Sequence, residues 1–155
     1  MEIERKYLVN KILWQELRNP VNASFIQQAY ISMDPKCSVR IRIVDNKALI
    51  TIKGETQGIS REEFEYSVPL REGMEIMKMA GSPVIMKSRY VIPFQGYNWE
   101  IDEFYGDNEG LIIAEVELKF ADEQPEWPDW IDKEVTGDPR YFNLQLAINP
   151  LNGWQ

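Results

Sequence analysis

The sequence predicts an antiparallel fold of the α+β class, mainly β, with about eight strands and three short helices. Three observations predict it. Charged and apolar residues alternate with period two through most of the chain, as they do on half-buried strands. The alternating runs succeed one another at hairpin spacing, joined by turn residues rather than by long crossovers. Only three segments carry helical spacing, and each is short. A sheet of about eight strands rarely stays flat and open, so curling into a barrel or deep half-barrel is expected.

The elements follow in order. "EIERKYLV" alternates over residues 2–9 and reads as a strand. Asn10 is placed to cap a short helix, "KILWQELR", with Val9 and Trp14 spaced as a hydrophobic staple. "ASFIQQAYIS" is a strand that ends in a turn at "MDPK". "CSVRIRIVDNKALITIKG" is a hairpin whose two runs meet at Asp45-Asn46. "ISREEFEYSVP" reads as one further strand, and "LREGMEIMKMA" as a helix packing through Leu70, Met74 and Met77, with Met79 also turned to the sheet. "VIMKSRYVIPF" and "YNWEIDEFYG" form a second hairpin around Gln95-Gly96, and "LIIAEVELKF" is the last strand. A Pro- and acid-rich loop, "ADEQPEWPDW", precedes "GDPRYFNLQLAIN", where Asp138 caps and Pro139 opens a short helix that stops before Pro150. No repeat or flexible linker interrupts the 155 residues, so one domain spanning 1–155 is expected.

Composition narrows the function. Hydrophobic residues make up 44%, enough for a sizeable core, while the formal net charge is −8. A chain this acidic is a poor binder of nucleic acid or of anionic membranes, which need a dominating basic surface. Cys37 is the single cysteine, so no intrachain disulfide can form. The start is charged rather than apolar and no run is long enough to span a membrane, so a cytoplasmic protein is expected. Histidine is absent, which removes Ser-His chemistry and histidine metal ligands. A metal here would be held by oxygen, which favours Mg²⁺, Mn²⁺ or Ca²⁺.

Period two also sorts the charges. One face carries Glu2, Glu4 and Lys6; then Arg40 and Arg42; Thr51 and Lys53; Arg61, Glu63 and Glu65; Lys87 and Arg89; Glu100 and Asp102; and last Glu115, Glu117 and Lys119. The other face carries Ile41, Ile50, Ile52, Phe64, Ile101, Val116 and Leu118. A single strand of this kind has an ordinary solvated face. The set differs, because the charges come in blocks of one sign where a plain surface would intersperse them. If the sheet curls with helices over its apolar face, the charged face lines a wet lumen. Clustered carboxylates suit a hard divalent cation, and clustered Arg and Lys suit phosphate oxygens. At an effective dielectric of 20, one opposite-charge pair about 4 Å apart gains roughly 4 kcal/mol, so this many cations would overshoot a single phosphate. A polyphosphate bound with metal matches the inventory.

These residues carry a family pattern. "EIERK" is similar to the ExExK signature of the CYTH superfamily, the triphosphate tunnel metalloenzymes, and the likeness continues in order through "VRIRI", "LITIKG", "REEFEYSVP", "KSRY", "WEIDEF", "AEVEL" and "EVTGDPRYFNLQLA". ExExK alone is a weak motif; the ordered set spans nearly the whole chain and resembles the short bacterial branch most. The resemblance implies an eight-stranded antiparallel β-barrel, the triphosphate tunnel, with a few short helices packed outside. It implies Mg²⁺ or Mn²⁺ held by Glu2, Glu4, Glu115 and Glu117. It implies that Lys6, Arg40, Arg42, Lys53 and Arg89 grip the triphosphate, joined by Arg61, with Glu63, Glu65, Glu100 and Asp102 as supporting carboxylates that orient them or take a second metal. Lys87 also falls in a matching basic motif; with Tyr30 it corresponds to a lysine and a tyrosine of short family members, and the pair is the expected base that activates water. Like-charged neighbours would lower the pKa of Lys87 and make it a better base. Glu63 is the alternative base.

The expected reaction is hydrolysis of inorganic triphosphate (tripolyphosphate) to pyrophosphate and phosphate. Relatives also include thiamine or nucleoside triphosphatases and class IV adenylate cyclases, and a non-catalytic polyphosphate-binding module is a further alternative. The longer, histidine-containing N-terminal signature of the cyclases is missing, because Glu2 follows Met1 directly. The partner expected is the small triphosphate itself, with neither nucleic acid nor membrane; a homodimer is left open. Trp14, Trp99, Trp127, Trp130 and Trp154 are expected to pack rather than stack on a base, and Arg140 and Tyr141 to form a structural cap near one mouth.

Overall fold

A computed structural model describes residues 1–154. Ten strands and three α-helices follow in the order β1 (Glu2–Val9), α1 (Lys11–Leu17), β2 (Ser24–Asp34), β3 (Cys37–Val44), β4 (Lys47–Gly54), β5 (Ser60–Arg61), β6 (Glu63–Val68), α2 (Leu70–Met79), β7 (Ile85–Phe94), β8 (Tyr97–Phe104), β9 (Ile112–Glu117), β10 (Ile131–Glu134) and α3 (Asn143–Ile148). All pairings are antiparallel, and the ladder runs β10-β1-β9-β8-β7-β2-β3-β4-β6.

Both predicted hairpins turn on two residues. Asp45 and Asn46 have φ of 50° and 59°, and Gln95 and Gly96 have 50° and 82°. Left-handed backbone at both central positions is the turn that matches strand twist, and Asn and Gly adopt it most cheaply.

The expected fifth strand is not continuous. β6 pairs with β4 as far as Lys53 opposite Glu63, the strand is interrupted at Glu62, and β5 pairs instead with β1, Glu2 opposite Arg61. One segment therefore changes partner at Glu62 and carries the wall from β4 round to β1. Two residues make that junction, so the sheet is a curled tunnel rather than a barrel closed by an unbroken ladder. The other length of β1's edge, Tyr7 to Val9, is taken by β10, a strand the sequence reading did not anticipate after its Pro-rich loop.

The apolar outer face is covered in two places. Trp14 of α1 is fully buried with Val9, Tyr7, Tyr90, Trp99 and Trp130 over β1, β7, β8 and β9. The Asn10 side chain accepts from the Leu13 amide at 3.1 Å, so cap and staple form as expected. α2 lies over Ala29, Ile41 and Ala48 of β2–β4. Its buried line runs through Leu70, Gly73, Ile76, Met77 and Ala80, while Met74 and Met79 point to solvent. The helix comes so close at Gly73 that a side chain there would meet Ala48 Cβ, which rotates the contact line away from Met74.

α3 does not pack outside. Leu146 and Ala147 bury against Tyr30, Ile85, Phe104 and Ile113, residues that share the inward face with the charged set. α3 and Tyr141 before it form an apolar plug in one end of the tunnel. Among the described residues no helix is long and apolar enough to cross a membrane.

Candidate active site

The strand register sets the inward residues beside one another. Glu4 lies opposite Glu117 and Lys6 opposite Glu115 across β1–β9; Glu100 lies opposite Glu115 across β8–β9. Arg89 faces Asp102, Arg40 faces Thr51, Lys53 faces Glu63, and Tyr30 and Gln28 of β2 face Arg40 and Arg42 of β3.

These side chains enclose a cavity of about 210 Å³. Glu2, Glu4 and Lys6 line it from β1, Tyr30 from β2, Arg40 and Arg42 from β3, and Lys53 from β4. Arg61, Glu63 and Glu65 come from β5 and β6, Arg89 from β7, Glu100 from β8, and Glu115 and Glu117 from β9. Lys87 and Asp102 lie beneath this lining, fully buried. Lys119, read on the same face, falls beyond the end of β9 and is exposed. No hydrogen bond joins Tyr30 to Lys87 among the described residues: the register puts Lys87 opposite Ile26, two inward positions from Tyr30.

Most lumen cations are tied to carboxylates. Lys53 Nζ lies 3.0 Å from Glu2 and 3.3 Å from Glu63, and Arg61 reaches Glu2 at 3.8 Å. Arg89 forks onto Asp102 at 2.8 and 2.9 Å and reaches Glu100 at 2.9 Å. Lys87 Nζ sits 2.7 Å from Asp102, 3.4 Å from Asn143 Oδ1 and over the Phe104 ring. Lys6 is 3.6 Å from Glu115 and over the Phe142 ring. Arg40 and Arg42 differ: among the described residues neither has a carboxylate within 4.0 Å. Glu4 and Glu117 are their counterparts, with no cation within that distance.

The charge states follow from this pairing. Burial works against the carboxylate at Asp102, but Arg89 and Lys87 outweigh it and hold the acid far below its ordinary range. Glu115 is likewise lowered, to about 2: burial opposes, and Lys6 and Arg89 prevail. Burial opposes the charge on Lys6 too, yet Glu115 and Glu4 keep its pKa above the usual lysine value. Lys87 is lowered to about 7, because burial, with Arg89 and Arg42 near, outweighs Asp102. Arg42 falls to about 9 through burial and the repulsion of Arg40 and Arg89. Glu4 rises to about 8 through burial and the neighbouring Glu115.

The fold and the ordered motifs have a match among known families: residues 1–142 fit the model of the CYTH domain. The chain belongs to the CYTH family. It is 44% identical over 155 residues to an inorganic triphosphatase of Acetivibrio thermocellus, covering 99% of this chain and 97% of that one. It is 31% identical over 153 residues to an inorganic triphosphatase of Nitrosomonas europaea, covering 96% and 97%. A solved structure of an inorganic triphosphatase superposes with a TM-score of 0.67 at 28% identity, over 95% of this chain and 97% of that one.

In this CYTH chain the residues expected to hold a metal fit a hard cation in one respect and leave it incomplete in another. Glu4 and Glu117 are adjacent across β1–β9, with no cation within 4.0 Å of either among the described residues, and burial, with Glu115 beside it, raises the pKa of Glu4. Among the described residues, however, no three carboxylates converge into a ready-made metal site. Mg²⁺ typically takes one or two carboxylates and completes its shell with water and substrate phosphate, which suits such a donor set.

Three functional neighbours escaped the sequence reading. Gln28 shares a face with Tyr30 two residues on, a parity signal that could have found it. Asn143 lines the cavity and Phe142 lies under Lys6 Nζ; both come from the plug segment, where no strand parity applies.

Proposed function

We propose that this CYTH protein is a divalent-metal-dependent triphosphatase that hydrolyses linear inorganic triphosphate to pyrophosphate and phosphate. One observation carries the reading: a single cavity holds an arginine pair without carboxylates, Arg40 and Arg42, and carboxylates without cations, Glu4 and Glu117. That division calls for a ligand bringing both an anionic chain and a metal. Two relatives named inorganic triphosphatase, aligned end to end, support it.

Arg40 and Arg42 take the phosphate chain first, since their charge is not already cancelled. Lys6, Lys53, Arg61 and Arg89 complete the grip, each held in place by an acid that the substrate partly displaces. Glu2, Glu4, Glu115 and Glu117 would hold Mg²⁺ or Mn²⁺, which supplies charge neutralisation at the phosphoryl oxygens. Glu63, Glu100 and Asp102 fix Lys53, Arg89 and Lys87, and Glu65 acts on Arg40 only through Thr51. Water attacks a terminal phosphorus, a phosphoanhydride bond breaks, and pyrophosphate leaves. The water's proton goes to the unprotonated form of Lys87 Nζ, which a pKa of about 7 keeps accessible, and Tyr30 on the cavity wall is the second member of the proposed base pair.

The test is phosphate release from tripolyphosphate, ATP and thiamine triphosphate with Mg²⁺ or Mn²⁺, alongside a chelator control. Turnover of tripolyphosphate that disappears with chelator and in Glu115→Gln is the expected result. Cyclic AMP formed from ATP would favour a cyclase, and tight binding without release would favour a binding module. Near wild-type kcat in both Lys87→Ala and Tyr30→Phe would remove the proposed base pair.

A further inference from the structure

Two neutral side chains hold the two arginines that lack carboxylates. Arg40 Nη2 donates to Thr51 Oγ1 at 3.2 Å, and Thr51 in turn donates to Glu65 at 2.9 Å. Arg42 donates from Nε at 3.0 Å and from Nη2 at 2.7 Å to the same atom, Gln28 Oε1. We propose that Gln28 is a positioning residue: it aims the Arg42 guanidinium into the tunnel while leaving its whole charge to the substrate's phosphate oxygens. The inference rests on the triphosphatase reading above and adds to it the residue that orients the grip.

Geometry makes the case. Gln28 is fully buried and stands directly opposite Arg42 in the β2–β3 register. Two donors converging on one oxygen restrain the direction in which the Nε/Nη2 edge of the guanidinium points more than a single bond would. The remaining nitrogen, Nη1, is left for the cavity. Arginine only donates, so the amide must turn its oxygen toward it. Gln28 Nε2 is consequently buried with no hydrogen-bond partner among the described residues. A buried orphan donor is unfavourable, and an apolar side chain of the same length would avoid it. Packing alone gives no reason for an amide here.

Charge explains why the acceptor is an amide. Arg89, one strand away on the other side of β2, is held by Asp102 and Glu100, and its charge is spent on them. A glutamate at position 28 would hold Arg42 equally well and cancel it in the same way. The amide oxygen orients without neutralising.

The experiment measures tripolyphosphate binding by calorimetry with chelator present, and kcat and KM with Mg²⁺, in wild type, Gln28→Glu, Gln28→Met, Arg42→Ala and the Gln28→Met/Arg42→Ala double variant. Thermal melts accompany each, and the isosteric Gln28→Glu guards against a packing defect in Gln28→Met. The expected result is that both Gln28 variants bind roughly tenfold more weakly, as loss of a hydrogen bond to a charged group or its neutralisation would cause. Gln28→Glu should melt no lower than wild type, and Gln28→Met should add nothing once Arg42 is alanine. If Arg42→Ala weakens binding while folded Gln28 variants bind like wild type, the inference fails and the triphosphatase reading stands. The inference also fails if Gln28→Met costs the same with and without Arg42. If wild type neither binds nor turns over tripolyphosphate, the triphosphatase reading fails and takes the inference with it.

Discussion

Lys87 Nζ lies 2.7 Å from Asp102 Oδ2, with both side chains withdrawn from solvent beneath the tunnel lining. Asp102 is shared, since Arg89 forks onto the same carboxylate. One acid therefore compensates two buried cations. Removing it leaves Lys87 without a carboxylate and Arg89 with Glu100 alone, and breaking a buried pair in this way costs on the order of 3–5 kcal/mol. Asp102→Ala should lose about that much in urea unfolding at pH 7. A loss below about 1 kcal/mol would show that the pair is solvated in solution.

The pKa of Lys87, about 7, makes its neutral form available near physiological pH. If that form accepts the proton, kcat should rise with pH through about 7 and then level. Lys87→Met should lower kcat by about 100-fold or more and flatten that limb, the usual size of a general-base contribution. The same shift has a sign for stability. The folded pKa lies below the ordinary lysine value of 10.5, so between those two the unfolded chain binds more protons. This group's contribution to stability should therefore rise with pH from about 7 to 10.5 and stay flat below 7. A pH-independent kcat in wild type would count against Lys87 as the base.

Glu4 shifts the other way. Its carboxyl is raised to about 8 from 4.5, so the folded protein keeps a proton that the unfolded chain has released. That contribution to stability is present below pH 4.5 and is lost as pH rises through about 8. Glu4→Gln mimics the protonated form. Without metal it should melt higher than wild type above pH 8, while tripolyphosphate turnover falls by about 100-fold or more through loss of a metal ligand. Added Mg²⁺ should raise the wild-type melting temperature and leave that of Glu4→Gln unchanged. Equal stabilisation of both by Mg²⁺ would remove Glu4 from the proposed metal site.

Gly73 offers a test of the outer packing that leaves the lumen alone. A Cβ at this position would overlap Ala48 Cβ, and both neighbours belong to regular elements that cannot easily move apart. Gly73→Ala should cost about 1–3 kcal/mol in chemical denaturation by overpacking, despite the better helix propensity of alanine. KM for tripolyphosphate should be unchanged. A gain in stability would mean that α2 sits further from the sheet than the structure places it.

Much of the site was legible because a strand reports its two faces directly. Glu2, Glu4 and Lys6 share parity, as do Arg40 and Arg42, and Glu115 and Glu117, so each block could be assigned to one side before any contact was known. Turn chemistry fixed both hairpins, because Asp45-Asn46 and Gln95-Gly96 accept left-handed backbone. What escaped has a common cause. The partner change at Glu62, the extra strand β10 and the plug by α3 are set by which edge or opening a segment meets, and neither edge nor opening is local to the segment. Met74 was misplaced because helical spacing alone does not foresee the close approach at Gly73.

The sequence by itself determined which side chains share a face, since that depends only on alternation along each strand. Only the tertiary structure decided which of those charges are cancelled and which are free. Arg89 and Arg42 are both inward-facing arginines on strands flanking β2, yet one meets Asp102 and Glu100 and the other meets Gln28. Parity cannot distinguish them, because pairing depends on strand order and register across the curled sheet, and on how deeply each pair is withdrawn from water.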